Sequence, residues 1–294
     1  MVCITEKYPP LELNEIVNIA NGFKQLSLKE KLSTVARVIA RHPMLNFPTQ
    51  NDTREFYRVR VSKDRSFPFN YTGVLWNHSA PAQQARLNAP GDAVLYVANQ
   101  ANAAFAETGV SDDFVIMSVL KIQDGKNVTF LPLGTFANIM RSNAAHLDVT
   151  EQIVKDVRRK ILACPIHEMQ ALLISDEFLY NCIMEEDEGY AVSSYTANLI
   201  FKKYPSVDVI TYPSKKLRSA SNYAIKVSSF WDKWAIGSVC TLEAKHLALG
   251  HFLHSNVRCV DKIDNTGFMS WERSYPVHQN SLVVLNWVKP QIDG

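Results

Sequence analysis

Between Tyr57 and Glu107, polar and charged residues recur where a core-forming segment has no structural need of them. Tyr57-Arg58 lies inside Phe56-Tyr57-Arg58-Val59-Arg60-Val61, which alternates apolar and basic residues with the period of a half-buried strand. Arg86-Leu87-Asn88-Ala89-Pro90-Gly91 is a turn-rich segment that carries a guanidinium, and Tyr96 is the centre of the short apolar run Ala93 to Ala98. Glu107 falls in the last turn of a helix expected over Gln100 to Thr108, where the helix dipole disfavours an anion. Much later, Tyr212-Pro213-Ser214 ends a strand, and Phe201 to Lys226 sets six cations against Asp208 alone. Guanidinium groups grip phosphate oxygens through paired N–H donors. A local field of this sign suits a phosphate-bearing small molecule.

Each of these residues also has a plainer reading. Arg58 can be a solvent-facing strand residue, and Arg60 is read as one. Arg86 can bind carbonyls in its own turn, Tyr96 can be a core tyrosine, Glu107 can pair on the surface and Ser214 can be a turn residue. Other familiar chemistry is absent: there is no P-loop, no G-x-G-x-x-G after a strand, no H-E-x-x-H and no G-x-S-x-G. His246, His251 and His254 share a helical face only loosely and have no suitably spaced further ligand, so no metal site is expected. Cys164 and His167 are close in sequence, which is a weak sign of a nucleophilic pair.

The elements that must position these residues follow from composition and periodicity. With 294 residues, 47% of them apolar, the chain can bury a sizeable core without disulfides or metals. A balance of 31 basic against 29 acidic side chains excludes a dedicated nucleic-acid binder. Two N-terminal helices are expected, Leu11 to Phe23 and one opening at Ser27. There Glu30 completes a capping-box spacing, and His42-Pro43 must end the helix. Strands are expected at Phe114 to Ile122, Val207 to Tyr212, Tyr223 to Val227 and Ser281 to Trp287, with helix and loop from Leu133 to Tyr204. Asn99 is expected to cap the helix that carries Glu107, and Gly109 to end it. Strands separated by helices without strict alternation point to an α+β or mixed α/β domain. Five cysteines, odd in number and without a Cys-x-x-Cys pair, suggest a reducing compartment rather than a disulfide scaffold. With no apolar h-region at the start and no run near the roughly 20 residues that span a bilayer, a cytoplasmic protein without membrane contact is expected.

At the residues first named, the chain resembles the RES-domain toxins, a family named for an Arg, a Glu and a Ser. The family pattern is met in order by Tyr57-Arg58, Arg86-Leu87-Asn88-Ala89-Pro90-Gly91, Leu95-Tyr96-Val97-Ala98, Ala103-Ala104-Phe105-Ala106-Glu107 and Tyr212-Pro213-Ser214. Leu87 stands where the family usually has an aromatic residue, and the segment between Glu107 and Ser214 is longer than in minimal members. The resemblance implies an α+β, mixed-sheet fold similar to that of ADP-ribosyltransferases, with an added N-terminal helical segment. It divides the chain into an N-terminal helical extension (1–50), a RES domain (54–230) with a helical insertion around 135–200, and a C-terminal extension (231–294) packed on the RES domain.

The resemblance further implies an enzyme that consumes NAD as substrate, not cofactor, by cleaving the nicotinamide–ribose bond through hydrolysis or phosphorolysis. ADP-ribosyl transfer to a protein, or a non-catalytic nucleotide-binding module, are the alternatives. Glu107, Arg58, Tyr96 and Ser214 would be catalytic, and Tyr57, Arg86, Asn88 and Tyr212 would bind NAD. Implied partners are NAD, phosphate as a co-substrate and an antitoxin of helix-turn-helix type. Family members often form dimers, so a homodimer is expected on that ground alone; no metal and no direct nucleic-acid contact is expected.

Overall fold

A computed structural model describes residues 3–49, 52–76, 82–142, 149–185 and 188–271. The strand expected at Ser281 to Trp287 lies outside the described residues. In chain order the elements are α1 (Ile4–Lys7), α2 (Leu13–Gly22), α3 (Leu28–Arg41), β1 (Phe47–Thr49), β2 (Glu55–Val61), β3 (Val94–Ala98), α4 (Ala101–Thr108), β4 (Asp112–Ile122) and β5 (Val128–Pro132). They continue with α5 (Thr135–Ser142), α6 (Glu151–Leu162), α7 (Ile166–Met184), α8 (Ala191–Lys203), β6 (Val209–Pro213), β7 (Ser221–Lys226), α9 (Phe230–Lys233), β8 (Trp234–Ala248), β9 (His251–Ile263) and β10 (Met269–Trp271). The fold is α+β with both parallel and antiparallel strand pairs. Among the described residues no helix is long and apolar enough to cross a membrane.

The chain forms two compact units that interleave in sequence: 1–47, 81–92 and 129–211 in the first, 48–80, 93–128 and 212–294 in the second. The first is mainly helical. Its α3 begins in a capping box, with Ser27 N donating to Glu30 Oε2 at 2.9 Å and Glu30 N to Ser27 Oγ at 3.4 Å. One face of α3 buries Val35, Val38 and Ile39, and the helix stops before His42-Pro43 as expected. Lys203 Nζ donates to His42 O at 2.9 Å, so a cation meets the negative end of α3. This assigns one of the cations of the 201–226 stretch to helix capping. His42 Nε2 lies 3.1 Å from Asp176 Oδ1, and Asp176 Oδ2 accepts from Ala137 N at 2.9 Å, tying α7 to α5 and to the end of α3. The parallel pair of β5 with β6 aligns Phe130 with Val209 and Leu131 with Ile210.

The second unit is built on an antiparallel sheet in the order β7-β3-β2-β4-β8-β9-β10. Alternation along β2 turns Tyr57, Val59 and Val61 to the face covered by α4. There Ala103, Ala104 and Phe105 pack on Val59, Ala98, Val115, Met117 and Val119. Gly109, at φ +76°, ends α4 in the left-handed conformation its sequence position suggests. Asn99 does not cap α4: Gln100 is the N-cap residue without a side-chain bond, and Asn99 Oδ1 instead accepts from Ser221 N at 2.9 Å.

The long β8–β9 hairpin has no counterpart in the sequence expectations. His246, His251 and His254 sit on its strands, so helical spacing does not describe them. Among the described residues no group of three or more His, Cys, Asp or Glu is placed to hold a metal ion. The hairpin also corrects the reading of the cysteines: Cys240 and Cys259 face each other in register, with Cα atoms 4.1 Å apart, and form a disulfide. Cys3, Cys164 and Cys182 are free and buried. Strand register, which a residue count cannot see, brings the pair together.

Phe105, with no exposed surface, anchors the helix that carries Glu107. Phe105→Ala is expected to lower the unfolding free energy by about 3–5 kcal/mol in urea titration. A loss below about 1 kcal/mol would show that α4 is held by something other than this contact.

Candidate functional site

Three side chains of the sheet unit meet at the end of α4. Glu107 Oε1 lies 2.6 Å from Ser214 Oγ and 2.8 Å from Asn222 Nδ2. Ser214 Oγ also accepts from Lys216 N at 3.1 Å and Leu217 N at 3.0 Å. With its lone pairs used in this way, the hydroxyl has one proton to give, and it goes to Glu107. Ser214 N donates to Ala220 O at 2.8 Å, closing a loop in which Ser219 takes a left-handed conformation at φ +65°. The other carboxylate oxygen, Oε2, has no hydrogen-bond partner among the described residues, and Glu107 is exposed. The carboxylate is thus fixed by one oxygen and presents the second.

Strand register places two tyrosines on the sheet face that carries Asn222. Ala98 pairs with Tyr57 on one side and with Asn222 on the other, so the three form a row on one face of the sheet. Tyr96, opposite Ala224, lies two residues back along β3 on that same face. Tyr57 donates its hydroxyl to Glu55 Oε2 at 2.7 Å. Burial first, and then that hydrogen bond and the Glu55 charge, push its pKa up to about 12. Tyr57 therefore stays a protonated donor at any physiological pH. Tyr212 is buried at the end of β6.

Arg58 follows Tyr57 in β2 and stands opposite Ser118 of β4, so it leaves the strand toward the other face. Its guanidinium turns to β3, which pairs with β2 only at Ala98 and Tyr57, and Nη1 donates to Tyr96 O at 3.0 Å. Nε is buried and has no hydrogen-bond partner among the described residues, and Arg58 forms no ion pair among them. Burial, with a smaller contribution from the Arg60 charge, lowers its pKa to about 10, so it remains a cation at neutral pH. Arg60 is not solvent-facing: half-buried, it donates Nη1 to Thr72 O at 3.2 Å and Gly73 O at 2.9 Å.

Arg86 and Asn88 belong to the helical unit. Arg86 Nη1 donates to Ile183 O and Met184 O, both at 3.0 Å, and so satisfies carbonyls at the C-terminal end of α7. Asn88 is buried and bonds Gln83 O at 2.7 Å, while its backbone pairs with Ala85 within the turn. In this unit both side chains maintain local structure.

The structure thus joins Glu107 and Ser214, which sequence reading singled out, to Asn222, which it did not. Asparagine is depleted in strands, and Asn222 stands directly before the apolar run Tyr223-Ala224-Ile225; that was the only available signal.

A family model described as RES domain matches residues 55–230. No curated protein and no solved structure matches the chain. The matched stretch runs from the first residue of β2 to the start of α9 and takes in Glu107, Ser214 and Asn222 together. A match over more than half of the sequence, meeting at a carboxylate and a serine that the fold bonds to each other, makes the chain a member of the RES domain family.

Proposed function

We propose that this RES-domain chain consumes NAD by cleaving the bond between nicotinamide and ribose. The observation that carries the reading is Glu107, fixed through Oε1 by Ser214 and Asn222 and open at Oε2. In such a reaction the C1′–N bond breaks and its electron pair stays with the nicotinamide nitrogen. That nitrogen passes from cationic to neutral, so the leaving group needs no proton. Positive charge builds on the ribose as in glycoside cleavage. A fixed carboxylate either stabilises this charge or holds the ribose hydroxyls, and removal of one preorganised group of this kind typically costs about 3–4 kcal/mol of barrier lowering. Water then adds to the ribose and releases a proton, or phosphate adds in its place.

Ser214 and Asn222 act in this reading by positioning Glu107, and Tyr57 and Tyr96 offer hydroxyl or ring to the sugar and nicotinamide. Arg58 is the proposed diphosphate ligand of the sheet unit: a buried cation without a carboxylate is costly unless a bound anion compensates it. The resemblance gives the part of restraining such an enzyme to an antitoxin of helix-turn-helix type.

Release of free nicotinamide from NAD by the full chain, with and without phosphate, tests the reading. Glu107→Ala is expected to reduce release by about 10²–10³-fold, and Asn222→Ala to lower kcat more than it changes KM. Release by Glu107→Ala at the wild-type rate would overturn the assignment. ADP-ribose retained on a protein from labelled NAD would identify transfer instead.

Arg58→Met is expected to change the unfolding free energy by less than about 1 kcal/mol, because recovered desolvation offsets the lost bond to Tyr96 O. The same variant is expected to weaken NAD binding at least tenfold. Thermal unfolding beside NAD titration checks both. A large loss of stability with unchanged binding would make Arg58 a structural residue.

A further inference from the structure

Within the helical unit, α2, α3, α5, α7 and α8 line an open-mouthed cavity of about 830 Å³, within the range of small-molecule sites. None of Tyr57, Arg58, Arg86, Tyr96, Glu107 and Ser214 lines it. Its wall is chiefly apolar, built from Phe23, Leu28, Met140, Leu173, Ile174 and Phe178. Leu28, on this wall, remains 52% exposed.

Among the described residues, the charged side chains that line the cavity are not balanced. Lys24 pairs with Glu185 at 3.2 Å and Arg141 with Glu177 at 2.8 Å. Lys31 has no carboxylate partner among the described residues; its ammonium lies 5.9 Å from the centre of the Phe23 ring. The Asn181 carboxamide also lines the cavity and has no side-chain hydrogen bond among the described residues. Ala191 and Val192, the first residues of α8, complete the wall, and that helix start has no side-chain cap. Its positive dipole end adds to the Lys31 charge. An apolar chamber with one surplus cation, an amide donor and a helix start fits an aliphatic chain that ends in a single negative charge.

We propose that this cavity is a binding site for a long-chain carboxylate of the fatty-acid type, with the chain among Phe23, Leu173, Ile174 and Phe178 and the carboxylate toward Lys31 and Asn181. The proposal concerns binding alone and does not depend on whether the chain consumes NAD.

The test uses the full chain and a fluorescent polyene fatty acid, whose emission rises on entry into an apolar site. Saturable binding with one site per chain is expected. Dodecanoate below its micellar concentration should displace the probe at least tenfold better than dodecyltrimethylammonium does. Ile174→Trp, which fills the chamber, should weaken binding at least tenfold, with the fold checked by circular dichroism. Lys31→Glu, on a partly exposed side chain that folding does not need, should remove the preference for the carboxylate over the ammonium head. Absence of saturable binding would overturn the proposal. So would equal displacement by the two detergents, or full affinity in both variants.

Discussion

An anion in the last turn of a helix faces the negative end of the helix dipole, and Glu107 keeps that place because two donors converge on its Oε1. The dipole opposes the charge by about 0.3–1 kcal/mol. A hydrogen bond to a charged group returns roughly 1.5–3 kcal/mol, and less where water competes. Two such bonds therefore prevail even after allowance for solvent. Both donors come from a segment more than a hundred residues downstream of Glu107, so the carboxylate's position is a tertiary property. It requires β7 to lie beside β3 with Asn222 opposite Ala98. A slip of one residue would turn Asn222 to the far face. Asn99 guards against that slip by taking Ser221 N on its own side-chain oxygen.

The same sheet has to accommodate charge on its second face. β2 gives Tyr57, Val59 and Val61 to the α4 side and sends Arg58 and Arg60 the other way, into a region where Phe56 packs edge-on against Tyr223 and Trp234. Arg60 is compensated by two carbonyls of the turn at Thr72 and Gly73. Arg58 receives one carbonyl and leaves Nε bare. The two arginines thus differ in kind although they are two residues apart on one strand. Arg60 closes a turn, and Arg58 holds an uncompensated donor inside the protein.

Local signals were legible in the sequence. The capping box at Ser27 and Glu30, the stop at Pro43, the glycine that ends α4 and the alternation of β2 all act within a few residues, and each was readable without tertiary knowledge. What failed depended on distant partners. Asn99 has a good cap residue's chemistry, but Ser221 N competes for its oxygen. Arg60 looks solvent-facing until the Thr72 turn is placed over it. The β8 strand gives no clear period because its first half is buried nearly throughout and its second half is exposed. The bond between Glu107 and Ser214 was foreshadowed only because a family pattern names both residues. Asn222 lies outside that pattern, and only the rarity of asparagine in strands marked it.

The matched family segment also does not coincide with the structural requirement for its own site. β4 is buried along most of its length, so both of its faces are covered, and it has a strand on either side. One neighbour is β2, and the other is β8, which begins at Trp234, beyond the matched residues. Eleven residues of β4, from Asp112 to Ile122, find partners in β8. Without them β4 would become a long apolar edge. Trp234, fully buried, packs on Phe56 at the start of the matched stretch and stacks with Phe230 at its end. β2 takes its register from β4, and Tyr57 and Val59 take their face from β2. The positions of Tyr57 and of the helix that bears Glu107 therefore rest in part on a strand that carries none of the family's own residues.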